Sequence, residues 1–98
     1  MRHIRGGITA PQGFTAAGIH CGIKKNRDLL DLALVYSERP GPIAGVFTKN
    51  QVVAAPVIVD RAHLRKGTAQ VLLVNSGCAN VCTGTAGMKA AHAMVQVA

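Results

Sequence analysis

The chain has no tryptophan, and its only aromatic residues are Phe14, Tyr36 and Phe47, 3% of the sequence. A core without large rings must be assembled from Val, Ile, Leu, Ala and Gly, which pack closely but each bury little area. Only four residues are acidic, against eleven Lys and Arg, for a formal net charge of +7. No apolar run approaches the roughly 18 residues that a membrane span requires. The start, MRHIRGG, carries charge but no following apolar stretch, so it does not read as a secretory leader. Three cysteines, Cys21, Cys78 and Cys82, are too few and too odd in number for a disulfide framework. These absences point to a cytoplasmic protein with reduced thiols.

What is present is hydrophobic enough to fold: 49% of 98 residues. A chain of this length makes at most one domain and buries roughly 60–70% of its unfolded surface. With so few large side chains, the composition suits one layer of a larger assembly. The basic residues are scattered as Arg2, Arg5, Lys24, Lys25, Arg27, Arg39, Lys49, Arg61, Arg65, Lys66 and Lys89. Their densest groups, KKNR at 24–27 and RKG at 65–67, fall where turns are expected. A basic nucleic-acid-binding module is one reading of this charge, but stacking aromatics and a groove-reading motif are missing.

Along the chain, GGITAPQG at 6–13 is irregular by its Gly and Pro content. Phe14–Ile23 reads as a strand whose glycines admit another backbone, followed by a KKNRD turn. Leu29–Tyr36 reads as a strand stopped by SERPGP, a loop, with a further short strand at Ile43–Thr48. Pro56–Asp60, an unbroken apolar run, reads as a strand, and AHLRKG as a helical turn or loop. Gln70–Asn75 reads as a fully buried strand. A helix is expected from about Gly84, with Met88, Ala91, Val95 and Ala98 on one face and Thr83 or Thr85 as its cap. It reaches MVQVA without Gly, Pro or Lys to stop it, which suggests a cut longer protein. The expectation is an α/β fold of several strands with a C-terminal helix.

The segment NSGCANVCTGTAG at 75–87 joins the last strand to that helix through residues that are nearly all small or polar. Cys78 and Cys82, with Cys21 and His20, offer thiolate spacing for zinc but no second matched pair. Gly77, Gly84 and Gly87 fit neither the Walker loop nor the dinucleotide fingerprint, and Lys89 comes too late for a phosphate loop. A helix start exposes unpaired N–H groups and positive dipole character, and with Thr83 and Gly84 beside them it can cradle a developing oxyanion. From the residues alone, metal turn, packed thiols and anion cradle all stay open.

Three blocks then carry a resemblance: GGITAPQGFTAAGIHCGIKK at 6–25, AGVFTKNQVVAAPVIVDRAHL at 44–64 and NSGCANVCTGTAG at 75–87. In order and spacing they resemble the N-terminal part of the bifunctional ornithine acetyltransferase/N-acetylglutamate synthase family of arginine biosynthesis. The resemblance implies an αββα-type sandwich of paired sheets covered by helices, of which residues 1–98 form an incomplete part of the α chain. It implies a precursor that cuts itself before an internal threonine, the nucleophile of the β chain. Acetyl passes from N-acetylornithine to that threonine and then to glutamate, with no cofactor or metal, and acetyl-CoA use differs between members. A related amidase or aminopeptidase would share the architecture and hydrolyse its acyl-enzyme instead. By resemblance the oxyanion hole falls on Thr83 and Gly84. The expected partners are the remainder of the α chain and the cleaved β chain, in a hetero-oligomer, with neither nucleic acid nor membrane. The nucleophile is not among Ser76, Thr85 or the other threonines here, so this piece alone is expected to be inactive. The family commonly reads N-S-G-N-A-N-A-C-T-G, and Cys78 and Val81 depart from it.

Overall fold

The computed structural model describes residues 3–98; Arg2 of the basic set lies outside them. Three strands, β1 (Phe14–Ile19), β2 (Leu32–Pro42) and β3 (Thr68–Asn75), form one antiparallel sheet in the order β1-β2-β3. Two helices, α1 (Ala55–His63) and α2 (Gly84–Val97), accompany it, and α1 runs on into a 3-10 turn at Leu64–Lys66. The α/β expectation and the C-terminal helix from Gly84 therefore hold, with one sheet among the described residues.

The β1–β2 hairpin is held in register by pairs from Phe14↔Ser37 to Ile19↔Leu32. Its connection turns at Asn26, whose side chain accepts the Asp28 N–H at 3.0 Å while its carbonyl accepts that of Leu29 at 3.3 Å. An Asn bonding the backbone two residues on is a common way to fix such a turn. The room left by Gly18 is taken by the Leu30 side chain, 3.1 Å from where a Cβ would stand, rather than by another backbone.

SERPGP is not a loop: β2 continues through it to Pro42. The ladder to β3 breaks register between Tyr36 and Gly41 and resumes at Gly41↔Ala69 and Pro42↔Thr68. Pro40, which has no N–H to donate, sits inside that irregularity, where the ladder does not need one. Ile43–Thr48 is not a strand but an irregular segment. Only Ile43 N–H continues the pairing, to Gly67 O at 3.0 Å, and the rest lies along α1. There the Arg61 guanidinium bonds Thr48 O at 2.8 Å and lies 5.4 Å from the centre of the Phe47 ring.

PVIVD is helix, not strand. Pro56 stands in the first turn of α1, where its missing N–H costs nothing, and Arg61 and His63 suit the negative end of the dipole. The β-branched run Val57–Val59 is overruled by packing. Ala55 and Val59, one turn apart, are buried with Ala91 of α2, and Met88 packs against them. An unbroken apolar run cannot by itself separate strand from buried helix. Gly67, at φ 68°, closes the 3-10 turn by donating to Leu64 O at 3.0 Å.

The α1–α2 contact is the core of this chain. Gly87 and Ala91 are the buried residues of α2, so its inward face is centred on them, and Val95, 40% exposed, continues that face one turn beyond Ala91. β3 is a strand as expected but is not fully buried: Leu72 and Val74 are 49% and 47% exposed. It is an edge strand, and alternate residues face opposite sides. Leu73 and Asn75 line a hollow with Val59, Ala91 and Met94 of the helices. Leu72 and Val74 belong to the other face, with Phe14, Ala16 and Val35, which no helix of the described residues covers. No described helix is long and apolar enough to cross a membrane.

Candidate functional site

Between β3 and α2 the backbone turns through four residues with positive φ: Gly77 (103°), Asn80 (51°), Cys82 (57°) and Gly84 (59°). Left-handed geometry is uncommon outside glycine, although Asn tolerates it, and a cluster of such residues must be held by its surroundings. Asn75 begins that support: its side-chain amide donates to Cys78 O at 2.9 Å. Gly77 lies against the 20–24 turn, with Lys24 Cγ and Ile23 Cγ2 only 3.1 and 3.2 Å from where a Cβ would stand.

Asn80 is the hub of the second half. Its carbonyl accepts the Ala55 N–H at 3.0 Å, tying the turn to the start of α1. Its side-chain Nδ2 donates to Gly87 O at 2.8 Å, which fixes the amide orientation because a carbonyl only accepts. Oδ1 then faces Thr83 Oγ1 at 2.6 Å, so the threonine hydroxyl is the donor in that bond. These side chains occupy the space beside Gly87, where an added Cβ would overlap Thr83 Oγ1 and Asn80 Oδ1 and lie 2.6 Å from Thr83 Cβ. Gly87 is thus required by close approach, not by its backbone angles.

Thr83 stands at the N-cap position of α2, but neither it nor Thr85 caps the helix: no side chain accepts a bond from its first turn. The hydroxyl expected to do so is engaged by Asn80. The N–H groups of Gly84, Thr85 and Ala86 consequently meet no acceptor among the described residues, and the first bond back is Gly87 N–H to Thr83 O at 3.3 Å. Gly84 is exposed, and the space where its Cβ would point is empty for 4 Å. Thr83 and Gly84 therefore sit side by side at an open, electropositive helix start.

A second cluster braces the turn from β2. Asp31 is 2% exposed, and its carboxylate accepts the N–H groups of Cys21 at 2.7 Å and Lys24 at 2.9 Å. Its carbonyl accepts the Ser76 N–H at 2.9 Å, joining the 20–24 turn to the 75–87 turn. The Cys21 amide, with the Lys24 amide, the Cys21 thiol and the nearby His20, holds the Asp31 carboxyl well below the usual carboxylate range, against the opposing effect of burial. The Cys21 thiol is pushed up, chiefly by its hydrogen bond to Asp31, which makes it a poor thiolate. His20 Nδ1 lies 3.0 Å from Leu29 O and 3.4 Å from Asp31 Oδ2; the carbonyl requires that this nitrogen carry the hydrogen. The described residues contain no group of three or more His, Cys, Asp and Glu arranged to hold a metal ion.

The sequence reading missed Asn80, Gly87 and Asp31. An Asn among glycines signals positive φ, which could have singled out Asn80. Nothing local marks Asp31, whose partners lie seven or more residues away in the chain.

Comparison with known proteins agrees over the whole fold. The model of the ArgJ family matches residues 15–98. The arginine biosynthesis bifunctional protein ArgJ of Caldanaerobacter subterraneus is 48% identical over 96 residues, which are 98% of this chain and 23% of that protein. Its counterpart in Mycobacterium bovis is 50% identical over 91 residues, 92% of this chain and 22% of that one. The crystal structure of ArgJ from Bacillus halodurans superposes with a TM-score of 0.86 at 42% identity, over 94% of this chain and 48% of that chain. Ornithine acetyltransferase of Mycobacterium tuberculosis, solved in complex with ornithine, gives 0.82 at 52% identity, over 89% and 45% of the two chains. The chain spans less than a quarter of the length of the curated relatives. Matched across its sheet, both helices and the turn between them, this chain belongs to the ArgJ family of arginine biosynthesis.

Proposed function

We propose that this chain is the front part of an acetyltransferase that moves an acetyl group from N-acetylornithine to glutamate through an acetyl-enzyme. In this reading Thr83 and Gly84 form the oxyanion hole, and the nucleophilic threonine belongs to the part of the relatives that this chain does not cover. Each half-reaction passes through a tetrahedral intermediate, so negative charge develops twice per turnover on the former carbonyl oxygen. The observation that carries the reading is the unfilled helix start: the Gly84 N–H is unpaired, and the glycine presents no side chain between it and an approaching carbonyl. Preorganised donors of this kind need no rearrangement as charge develops.

The exposed sheet supports the chain partners in this reading. Phe14, Leu72 and Val74 form an apolar face on one side of a sheet whose helices lie on the other. A second layer from the rest of the α chain and the cleaved β chain would complete the αββα sandwich there, and the piece alone would be inactive. The test is Thr83→Ala in the complete enzyme, assayed for acetyl transfer from N-acetylornithine to glutamate. A fall in kcat of roughly 10²–10³ is expected. Unchanged kcat would remove Thr83 from the mechanism, and acetate released in place of acetylglutamate by the unmodified enzyme would identify a hydrolase.

A further inference from the structure

The Thr83 hydroxyl has one hydrogen, and in this structure Asn80 holds it. The orientation of the Asn80 amide is set by Gly87 O at 2.8 Å, so Oδ1 has no alternative but to accept from Thr83 at 2.6 Å. The hydroxyl therefore cannot donate to a substrate carbonyl without leaving Asn80. A neutral ester or amide carbonyl is no better an acceptor than the Asn80 carboxamide, and it has little power to draw the hydrogen away. An oxyanion does, because hydrogen bonds to an ionised acceptor are roughly twice as strong.

We infer that Asn80 is the positioning residue of the oxyanion hole: it fixes the Thr83 Oγ1 and parks its hydrogen, which swings to the substrate oxygen only as negative charge forms there. This rests on the reading of Thr83 and Gly84 given above. Gly84 N–H, free from the outset, can meet the substrate oxygen already in the ground state and strengthens its bond as charge forms, whereas the Thr83 hydroxyl is reserved for the transition state. Interactions made only there raise kcat without lowering KM. Asn80 suits this role in three ways. Its φ of 51° aims the side chain across the turn, its carbonyl is pinned by Ala55 N–H, and Gly87 leaves room for both side chains.

Two substitutions in the complete enzyme test this beside Thr83→Ala. Asn80→Gly accepts the backbone angle and removes the carboxamide, leaving Thr83 free but unplaced. It is expected to lower kcat by about tenfold to a hundredfold, the cost of a misplaced catalytic group, with KM for N-acetylornithine within about twofold. Asn80→Asp keeps the acceptor but gives it charge. At neutral pH the carboxylate holds the Thr83 hydrogen more tightly, repels the oxyanion and cannot donate to Gly87 O. Its kcat is expected to fall by about 10², comparable to loss of the donor itself. A protonated carboxyl restores both bonds, so the ratio of Asn80→Asp to unmodified kcat should rise as pH falls toward the carboxyl range. Besides the cysteines of the turn itself, Lys24 lies against Gly77 and Asp31 reaches Ser76 through its backbone carbonyl, both present in the unmodified enzyme and cancelled in the ratio, and neither α1 nor α2 has an acidic residue in its first turn to imitate the effect. Asn80→Gly within twofold of the unmodified kcat, a loss that appears in KM, or a flat Asn80→Asp ratio across pH would each overturn the inference. If Thr83→Ala is impaired in those cases, the oxyanion reading survives without Asn80; if Thr83→Ala is fully active, both fall. Should Asn80→Asp not fold, the kcat and KM of Asn80→Gly decide alone.

Discussion

The turn at 75–87 and the sheet beside it satisfy themselves in opposite ways. The turn has little apolar surface, yet Asn75, Asn80 and Thr83 each make a defined hydrogen bond, and its backbone is tied to Asp31 and Ala55. The sheet has ample apolar surface, yet Phe14, Leu72 and Val74 are all more than 40% exposed. Directional bonds, some within the turn and some to Asp31 and Ala55 far off in the chain, let the turn hold its shape within this chain. Apolar burial is non-directional and needs an opposing surface, which this chain supplies for one face of the sheet only. The proposed oxyanion site sits on the part whose bonds are complete within this chain, and the proposed second layer would cover the part whose apolar surface is not.

The sharpest way to break this contrast is Gly87→Ala. The new methyl overlaps Thr83 and Asn80, and Thr83 Cβ has no flexible end to move aside. The complete enzyme should lose about 3 kcal/mol of stability in denaturant melts, together with most of its transferase activity. Full activity would mean that the turn is more plastic than its bonding suggests.

Asp31→Asn tests whether the turn depends on its brace. The folded carboxyl titrates below its unfolded value of about 3.9, so its contribution is fully present above that value and is lost as pH falls toward the lower folded one. The unmodified enzyme should melt higher than Asp31→Asn near neutral pH, and the gap in Tm should narrow below about pH 4. A gap that stays constant with pH would show that the carboxylate charge contributes nothing.

Val74→Thr addresses the sheet and should have the smallest effect of the three. If a second layer covers this face, burying the new hydroxyl should cost the complete enzyme about 1–3 kcal/mol. A change within about 0.5 kcal/mol would mean that the face meets water in the assembled protein.

The place of the candidate site was legible in the sequence. The run of small residues, the strand before it and the helix after it put Thr83 and Gly84 at a helix start, where the structure has them. The hydrogen-bond partner of the Thr83 hydroxyl was not legible. A threonine at an N-cap usually bonds the helix behind it, and only the position of Asn80, with Gly87 making room, diverts it.

The fold divides in the same way. By itself the sequence determined what depends on neighbours in the chain: the Asn26 turn, the cores of β1, β2 and β3, the start of α2, and the basic, aromatic-poor composition. Tertiary structure decided where the same local pattern has two physical solutions. PVIVD became helix because Ala55 and Val59 meet Ala91 of α2, a contact between residues more than 30 apart in the chain. SERPGP stayed in β2 because Ala69 and Thr68 were there to pair beyond the irregularity, and Ile43–Thr48 left the sheet because the pairing ends at Ile43. A backbone must place its hydrogen bonds and a side chain its apolar surface, and which partner is within reach is a property of the fold, not of the segment.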